Sequence, residues 1–292
     1  NITMDNMTIN MGGSNSRGVV LDSCFNATIE SNLLASTGSN CTVLGVIGST
    51  SIVVSNNRFD PSGSRSRALD IGPVSGVLTQ QNGITTSGTG SIGLNIEGSS
   101  LYMASDKIWT RGTSGTGISS SNSVVQIESL DMEVPGLKST GISSVRDDRF
   151  RINSSELDVQ GSGSSGMIVI GPGEAVRVLW SSLSSGEDTS TSFTLINGSM
   201  KMDRSVIDSG TDLEAVHLMN GSGVIYNSSI SCANAVLFVR DSSDLHISDS
   251  TFNGLRTLIS ENSSLDLRRA VMNYTLYSHE LFLNSTVRSL DS

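Results

Sequence analysis

The sequence has few cysteines, no surplus of positive charge and no long apolar run, and each shortage argues against a class of protein. The three cysteines, Cys24, Cys41 and Cys232, are too few and too widely spaced to form a metal site. The net charge of −10 argues against nucleic-acid binding, which normally needs a basic face. No apolar run reaches the roughly 20 residues that a helix needs to cross a bilayer. We therefore expect no metal, no nucleic-acid partner and no membrane insertion by this segment, and nothing in the sequence indicates a cofactor.

Helical spacing is also missing, and a long repeat takes its place. No segment keeps apolar residues three and four positions apart, as an amphipathic helix would. Instead, nine-residue blocks recur every 20 to 26 residues, and twelve such units cover the chain. The blocks that begin at Asn26, Ser51 and Gly76, for example, are 25 residues apart. A period of this length is typical of a solenoid, in which each unit forms one coil.

Within each block, the second and fourth positions are mostly apolar and the third is variable. This period of two predicts a short strand with one buried face. The fourth position reads Met4, Ile29, Val54, Thr79, Met103, Ile127, Ile152, Val178, Met202, Ile225, Ile247 and Leu267. A second apolar stretch follows, and then a turn such as Gly98-Ser99, where left-handed backbone is cheap. We predict two or three strands per coil, with Ile127, Ile152 and Val178 directly above one another in a shared core.

The seventh position of the block is polar in coil after coil. It reads Asn32, Asn57, Asn82 and Asp106 in four successive coils, and later Ser155, Ser181, Ser205, Ser228 and Ser250. Identical polar side chains one rung apart can hydrogen-bond along the axis of a stack. We therefore predict a structural ladder that contains Asn32, Asn57, Asn82 and Asp106.

With this repeat and this ladder, the chain resembles the right-handed parallel β-helices of the pectate-lyase-like superfamily, in which a turn between the first two strands carries an asparagine ladder. It is also similar to the passenger domains of bacterial autotransporters, which use the same solenoid as a surface stalk. The resemblance implies an all-β fold, a single-stranded right-handed parallel β-helix of about twelve coils that forms one domain over residues 1–292. No amphipathic helix caps either end, so we expect the sequence to be a piece of a longer protein.

The resemblance also implies what a catalytic site would contain. Polysaccharide lyases of this fold bind calcium through clustered acids and use Arg or Lys as a base. The related hydrolases combine several Asp with Gly-His-Gly and Arg-X-Lys segments, and the sequence has none of these patterns. The candidate catalytic residues are Asp147 and Asp148, in an inter-coil turn where adjacent carboxylates normally diverge into solvent. The short units leave little chain for the walls of a cleft. The sequence leaves enzymatic activity open but favours a protein without it.

A basic strip is the candidate ligand-binding surface. Arg151, Arg177 and Lys201 occupy the outward third position in three successive coils. One interpretation is a strip that binds an anion or an acidic glycan, and the other is a solvated face balanced by nearby acids. Trp180, at the bend after the strand, would stack on a sugar if it is exposed, or would pack within the turn.

Three functions remain open at this point. The first is a non-enzymatic extracellular stalk or passenger segment, structural or adhesive, of a large secreted or surface protein. The second is a β-helix that binds or degrades polysaccharide, as a lyase, hydrolase or phage tailspike, and the third is a subunit of an extracellular filament. The expected partners are glycans or host or cell-surface proteins, together with end-to-end self-association. Low lysine content, acidic composition and abundant Ser and Thr favour an extracellular or cell-surface location.

Overall fold

The computed structural model describes residues 2–171, 176–185, 191–210, 214–256, 259–274, 281–283 and 286–290. Within these ranges the chain consists of short strands joined by turns and contains no helix. Most coils consist of three strands, so the strands are best read in groups of three.

The strands of the first six coils are β1 (Ile2–Asp5), β2 (Thr8–Met11), β3 (Arg17–Asp22); β4 (Phe25–Glu30), β5 (Leu33–Ser36), β6 (Thr42–Ile47); β7 (Thr50–Ser55), β8 (Arg58–Pro61), β9 (Arg67–Ile71); β10 (Ser75–Gln80), β11 (Gly83–Thr86), β12 (Ile92–Glu97); β13 (Ser100–Ala104), β14 (Lys107–Thr110), β15 (Thr116–Ser121); and β16 (Val124–Glu128), β17 (Asp131–Val134), β18 (Thr140–Val145).

The remaining strands are β19 (Arg149–Asn153), β20 (Glu156–Val159), β21 (Ser165–Ile170); β22 (Val176–Leu179), β23 (Ser182–Ser185), β24 (Thr191–Ile196); β25 (Ser199–Asp203), β26 (Val206–Asp208), β27 (Glu214–Met219); β28 (Ser222–Tyr226), β29 (Ser229–Arg240); β30 (Asp244–Ser248), β31 (Thr251–Arg256), β32 (Ile259–Glu261); β33 (Ser264–Arg268), β34 (Val271–Tyr274), β35 (Leu281–Leu283); and β36 (Thr286–Leu290).

Equivalent strands of successive coils pair in parallel and form three stacks. The first stack contains thirteen strands, from β1, β4 and β7 to β33 and β36. The second stack begins with β2, β5 and β8, and the third with β3, β6 and β9. The long strand β29 supplies two faces at once, because its first half pairs with β26 and its second half with β27. Each coil therefore contributes to three parallel faces, which is the architecture of a parallel β-helix.

The register between coils places the aliphatic columns inside. Ile127 pairs with Ile152, and Ile152 pairs with Val178, as predicted. The three side chains are 0%, 3% and 1% exposed. They belong to one buried cluster that extends from Leu21 to Ala270. The all-β solenoid that the repeat predicts is confirmed, and its stability comes from a core that no single coil could bury alone.

The short turns share one backbone geometry. We call the turn between the first and second strands of a coil the first turn, the next one the second turn, and the one leading to the following coil the third turn. The opening residue of the first turn is left-handed, with φ of 58° at Ser31 and 56° at Asn56. In the third turn the left-handed backbone predicted for Gly98 is confirmed, with φ of 56°. In the first turn this bend directs the following side chain inward, which is why Asn32 and Asn57 are buried.

The second turn contains a column of stacked glycines. The column consists of Gly38, Gly63, Gly88, Gly112, Gly136 and Gly161, one in each of six successive coils. A Cβ atom on Gly63 would overlap the backbone carbonyl of Gly38, and the same clash recurs at each step of the column. Backbone therefore packs directly on backbone at this corner of the solenoid, and only glycine leaves enough room.

Candidate functional site

The first turns hold the asparagine ladder. Asn57 Oδ1 accepts hydrogen bonds from the backbone N and the Nδ2 of Asn32, both at 3.0 Å. Asn82 Oδ1 accepts the same two bonds from Asn57, at 3.0 and 3.1 Å. The Nδ2 of Asn57 also donates to the backbone oxygens of Ile29 and Ser55 at 2.8 and 2.9 Å. The amides thus link successive coils and satisfy turn backbone groups that water cannot reach.

Asp106 ends this row of amides with a buried carboxyl. Its Oδ1 accepts hydrogen bonds from the backbone N and the Nδ2 of Asn82 at 2.6 and 2.9 Å, and its Oδ2 accepts one from Thr79 Oγ1 at 2.6 Å. Burial raises the pKa of the Asp106 carboxyl to about 6, although the hydrogen bonds from Thr79 and Asn82 oppose the shift. This contact also explains why Thr79 interrupts the aliphatic fourth column, a signal that the sequence contained and that we missed.

Asp106→Asn should make the protein more stable at neutral pH. Because the folded carboxyl binds its proton more tightly than the unfolded one, its contribution to stability is fully present below pH 4 and is lost as the pH rises through about 6. Asparagine keeps the acceptor for Asn82 and carries no charge. We expect the variant to exceed the wild type by roughly 2–3 kcal/mol in urea unfolding at pH 8, and the gap to close near pH 4. A gap that is constant with pH would contradict this account.

Two further ladders run along the other corners, and sequence reasoning did not predict them. In the second turns, Ser66 Oγ accepts a hydrogen bond from Cys41 N at 3.2 Å, and Ser91 Oγ accepts one from Ser66 N at 3.3 Å. In the third turns, Ser123 Oγ accepts one from Ser99 N at 3.1 Å. The available signal was the recurrence of serine at a fixed position in these turns, as in Arg65-Ser66, Gly90-Ser91 and Asn122-Ser123.

Asp147 belongs to the third-turn ladder. Its Oδ1 accepts a hydrogen bond from Ser123 N at 2.8 Å, and its Oδ2 accepts one from Ser144 Oγ at 2.7 Å. The residue is 6% exposed, and burial raises the pKa of its carboxyl. The expectation that both carboxylates diverge into solvent is wrong for Asp147, because the left-handed backbone of Arg146 (φ 56°) turns the next residue inward. Asp148 is exposed, so the structure does not bring the two carboxyls together.

The basic strip forms a column on the outer face of the first stack. Arg151 pairs with Arg177, and Arg177 pairs with Lys201. Glu128 interacts electrostatically with Arg151, and the Lys201 ammonium lies over the ring of Tyr226, 5.1 Å from its centre. Arg177 is exposed. The predicted strip therefore exists as a column, and two of its three cations already have partners on the protein.

Trp180 lies in the first turn of the coil that contains Arg177, between β22 and β23. It is 57% exposed, and the guanidinium of Arg204 lies over its ring at 4.4 Å. Both residues are the left-handed residue of their turn, with φ of 52° and 49°, in consecutive coils. Trp180 thus pairs with Arg204, a residue that sequence reasoning did not assign to the site, although equal block positions could have indicated it.

A groove of about 480 Å³ crosses the outer face of the second stack beside the other tryptophan, and its lining comprises Arg58, Asp60, Gly83, Thr85, Ser87, Trp109 and Arg111. The small residues Gly83 and Thr85 lie in register with longer side chains on the next coil, Lys107 and Trp109. Because Gly83 has no side chain, a gap opens between Arg58 and Lys107, its partners on either side. The groove therefore offers one aromatic face with charged groups around it.

Three remaining features of the described residues bear on function: metal-binding groups, the lengths of the connections and membrane-spanning helices. Across the residues that the structure describes, no three His, Cys, Asp or Glu side chains come together as a group that could hold a metal ion. From β1 to β34, connections between consecutive strands have five residues or fewer, as in 37–41 between β5 and β6. The described chain contains no helix of the length and hydrophobicity that a membrane span requires.

Comparison with known proteins adds likenesses of fold at low identity. No protein family and no curated protein matches the sequence. Among solved structures, one match is to Vag8 in its complex with C1 inhibitor. The match covers 92% of this chain and 73% of the Vag8 chain, with 13% identity and a TM-score of 0.47. The gp42 tailspike of Acinetobacter phage vb_AbaP_AS12 covers 97% of this chain, with 10% identity and a TM-score of 0.41, and the chain spans only 57% of that protein. The match to the A-module of the Azotobacter vinelandii mannuronan C-5 epimerase AlgE4 covers 90% of this chain and 85% of that module, with 13% identity and a TM-score of 0.35. All three are parallel β-helix proteins.

Proposed function

We propose that this chain is one β-helical domain of a large secreted or cell-surface protein, with a non-enzymatic structural and adhesive role. The observation that carries the proposal is the shortness of its connections, five residues or fewer from β1 to β34. An active site needs walls that exclude water and surround the substrate, and binding pockets of this kind are concave and enclosed. A rod with such short turns presents faces instead, and faces suit adhesion.

The fate of the buried acids supports the same proposal. Burial raises the pKa of the Asp106 and Asp147 carboxyls, which is a property that a catalytic acid needs. Both, however, accept hydrogen bonds from the backbone of the preceding coil, and they hold turns in place. A glycosidase would need two carboxylates facing one bond across a set gap, whereas Asp147 is buried and Asp148 is exposed.

The adhesive part of the proposal rests on the outer face of the first stack. Arg151, Arg177 and Lys201 give it a row of cations about one rung apart, and the exposed ring of Trp180 lies at its edge. Cations in a row and an exposed aromatic ring are chemically suited to acidic glycans or to an acidic protein surface.

Incubation with a panel of neutral and acidic polysaccharides should release no new reducing ends and no unsaturated uronates. Asp147→Ala should lower the stability of the fold without any catalytic consequence, because Ser123 N and Ser144 Oγ lose their acceptor. Asp148→Ala is the matched control on the exposed neighbour. The readouts are a reducing-end assay, absorbance of unsaturated products, and thermal unfolding of each variant. Turnover by the wild type that either substitution abolishes while the fold persists would sink the non-enzymatic proposal.

Polysaccharide binding or degradation is the second candidate, and the groove beside Trp109 favours it. The aromatic face with Arg58, Asp60 and Arg111 around it resembles a place where a sugar ring would stack and hydrogen-bond. Cleavage of a defined polysaccharide in the same panel would favour this candidate, whereas retention without cleavage is also expected of the adhesive strip.

A further inference from the structure

A second pocket, lined by arginines, lies where the second turns meet the third stack near the start of the chain. It has a volume of about 240 Å³, and its lining includes Asn15, Arg17, Asn40, Thr42, Arg65 and Arg67. None of these residues belongs to the strip or the groove described above. The pocket is therefore independent of the proposed adhesive function.

The register of the coils builds this pocket from three consecutive turns of the solenoid. Arg17 pairs with Thr42, and Thr42 pairs with Arg67, so the two arginines lie two rungs apart, about 9.5 Å. The short side chain of Thr42 leaves a gap between them. Arg65 belongs to the column of left-handed residues that also contains Asn15 and Asn40, with φ of 55°, 58° and 54°.

The charges around the pocket are unbalanced. Three guanidinium groups line it, against one carboxylate, that of Asp70. This carboxylate is already bound by Arg67 at 2.9 Å and by Asn95 Nδ2 at 2.8 Å. Within the part of the chain that the structure describes, the side chains of Arg17 and Arg65 make no ion pair, and both are exposed. In a protein with a net charge of −10, this is a local concentration of positive charge with unused donors.

We infer that this pocket binds a tetrahedral oxyanion, a sulfate or phosphate group, either free or as an ester on a glycan. Guanidinium groups present planar pairs of N–H donors that match the oxygen atoms of such groups, and bonds between two charged partners are the strong ones. Arg17 and Arg67 approach from opposite sides of Thr42, and Arg65 contributes from the adjoining turn. The volume accommodates the oxyanion together with the first atoms of a carrier.

Titration of the ¹⁵N-labelled chain with sodium sulfate and with sodium phosphate, against sodium chloride at equal ionic strength, tests the site. We expect saturable shifts of the amide resonances of Thr42 and Arg67 with sulfate or phosphate and not with chloride. A sulfated disaccharide and its unsulfated counterpart distinguish the sources: equal affinity for free sulfate and the sulfated sugar indicates a free ion, and tighter binding of the sulfated sugar indicates an ester. Absence of saturable shifts with every oxyanion overturns the inference.

Matched arginine variants separate a site from general charge attraction. The double variant R17Q/R65Q should weaken binding at least about tenfold, because it removes two charged donors from an exposed surface. Thr42→Glu should abolish binding, since the new carboxylate would occupy the gap between Arg17 and Arg67 and pair with these arginines. Lys138→Gln, an exposed cation at the same left-handed turn position as Arg65 three coils further on, should leave the affinity within about twofold. Equal losses in K138Q and the double variant would mean that the ion is attracted without a site.

Discussion

Gly63→Ala should destabilise the protein by at least about 3 kcal/mol, or prevent it from folding. The added Cβ would overlap the carbonyl group of Gly38 and crowd the amide of Ser39. All of these atoms are backbone, and they are fixed by the parallel pairing of the coils on either side. No side chain can rotate away, so the clash has to be relieved by separating two coils. Chemical unfolding monitored by circular dichroism measures the loss.

Gly83→Ala is the control for this effect. Gly83 lies in β11, and a Cβ there would meet no atom within 4 Å. Alanine should therefore be neutral or stabilise by about 0.4–1 kcal/mol, because it restricts the unfolded chain. If the two alanine variants unfold at the same urea concentration, the glycine column is not the close backbone contact described here.

Asn57→Ala should cost at least about 2 kcal/mol. The substitution removes the acceptor of two hydrogen bonds from Asn32 and the donor of bonds to the carbonyls of Ile29 and Ser55. Asn57 is 2% exposed, so water cannot replace these partners without opening the coil. The free energy of unfolding from urea titration is the measurement.

Asn95→Ala provides the comparison on an outward position. Asn95 is half-buried on the third stack and donates one hydrogen bond to Asp70. Its loss should cost less than about 1 kcal/mol, since Asp70 keeps its bond to Arg67 and solvent reaches both groups. A similar loss for both asparagines would mean that the ladder adds nothing beyond an ordinary surface hydrogen bond.

The inward columns could be predicted from the sequence because they repeat locally. Ile127, Ile152 and Val178 share a block position, and a strand alternates inward and outward side chains with a period of two. The asparagine ladder could be predicted for the same reason, as it follows the strand at a fixed distance. The left-handed turn at Gly98 follows from the small energetic cost of that conformation in glycine.

The parts that the sequence did not predict depend on turn geometry and on neighbouring coils. Asp147 looks like a surface residue in a run of charges, and it is buried because Arg146 adopts a left-handed conformation. Thr79 looks like a break in an aliphatic column until Asp106 is found beside it on the next coil. Trp180 and Arg204 are 24 positions apart and meet because one coil has that length.

By itself, the sequence determined that the chain folds as a solenoid, because each unit repeats the same period, the same inward-facing apolar positions and the same polar turn positions. The tertiary structure decided which polar groups meet, since a bond between coils depends on the residue that lies one rung away and on the direction in which each turn points it. For this reason the solenoid could be predicted from the sequence. The pocket with three arginines near its start and the buried carboxyls of Asp106 and Asp147 could be identified only from the stacked coils.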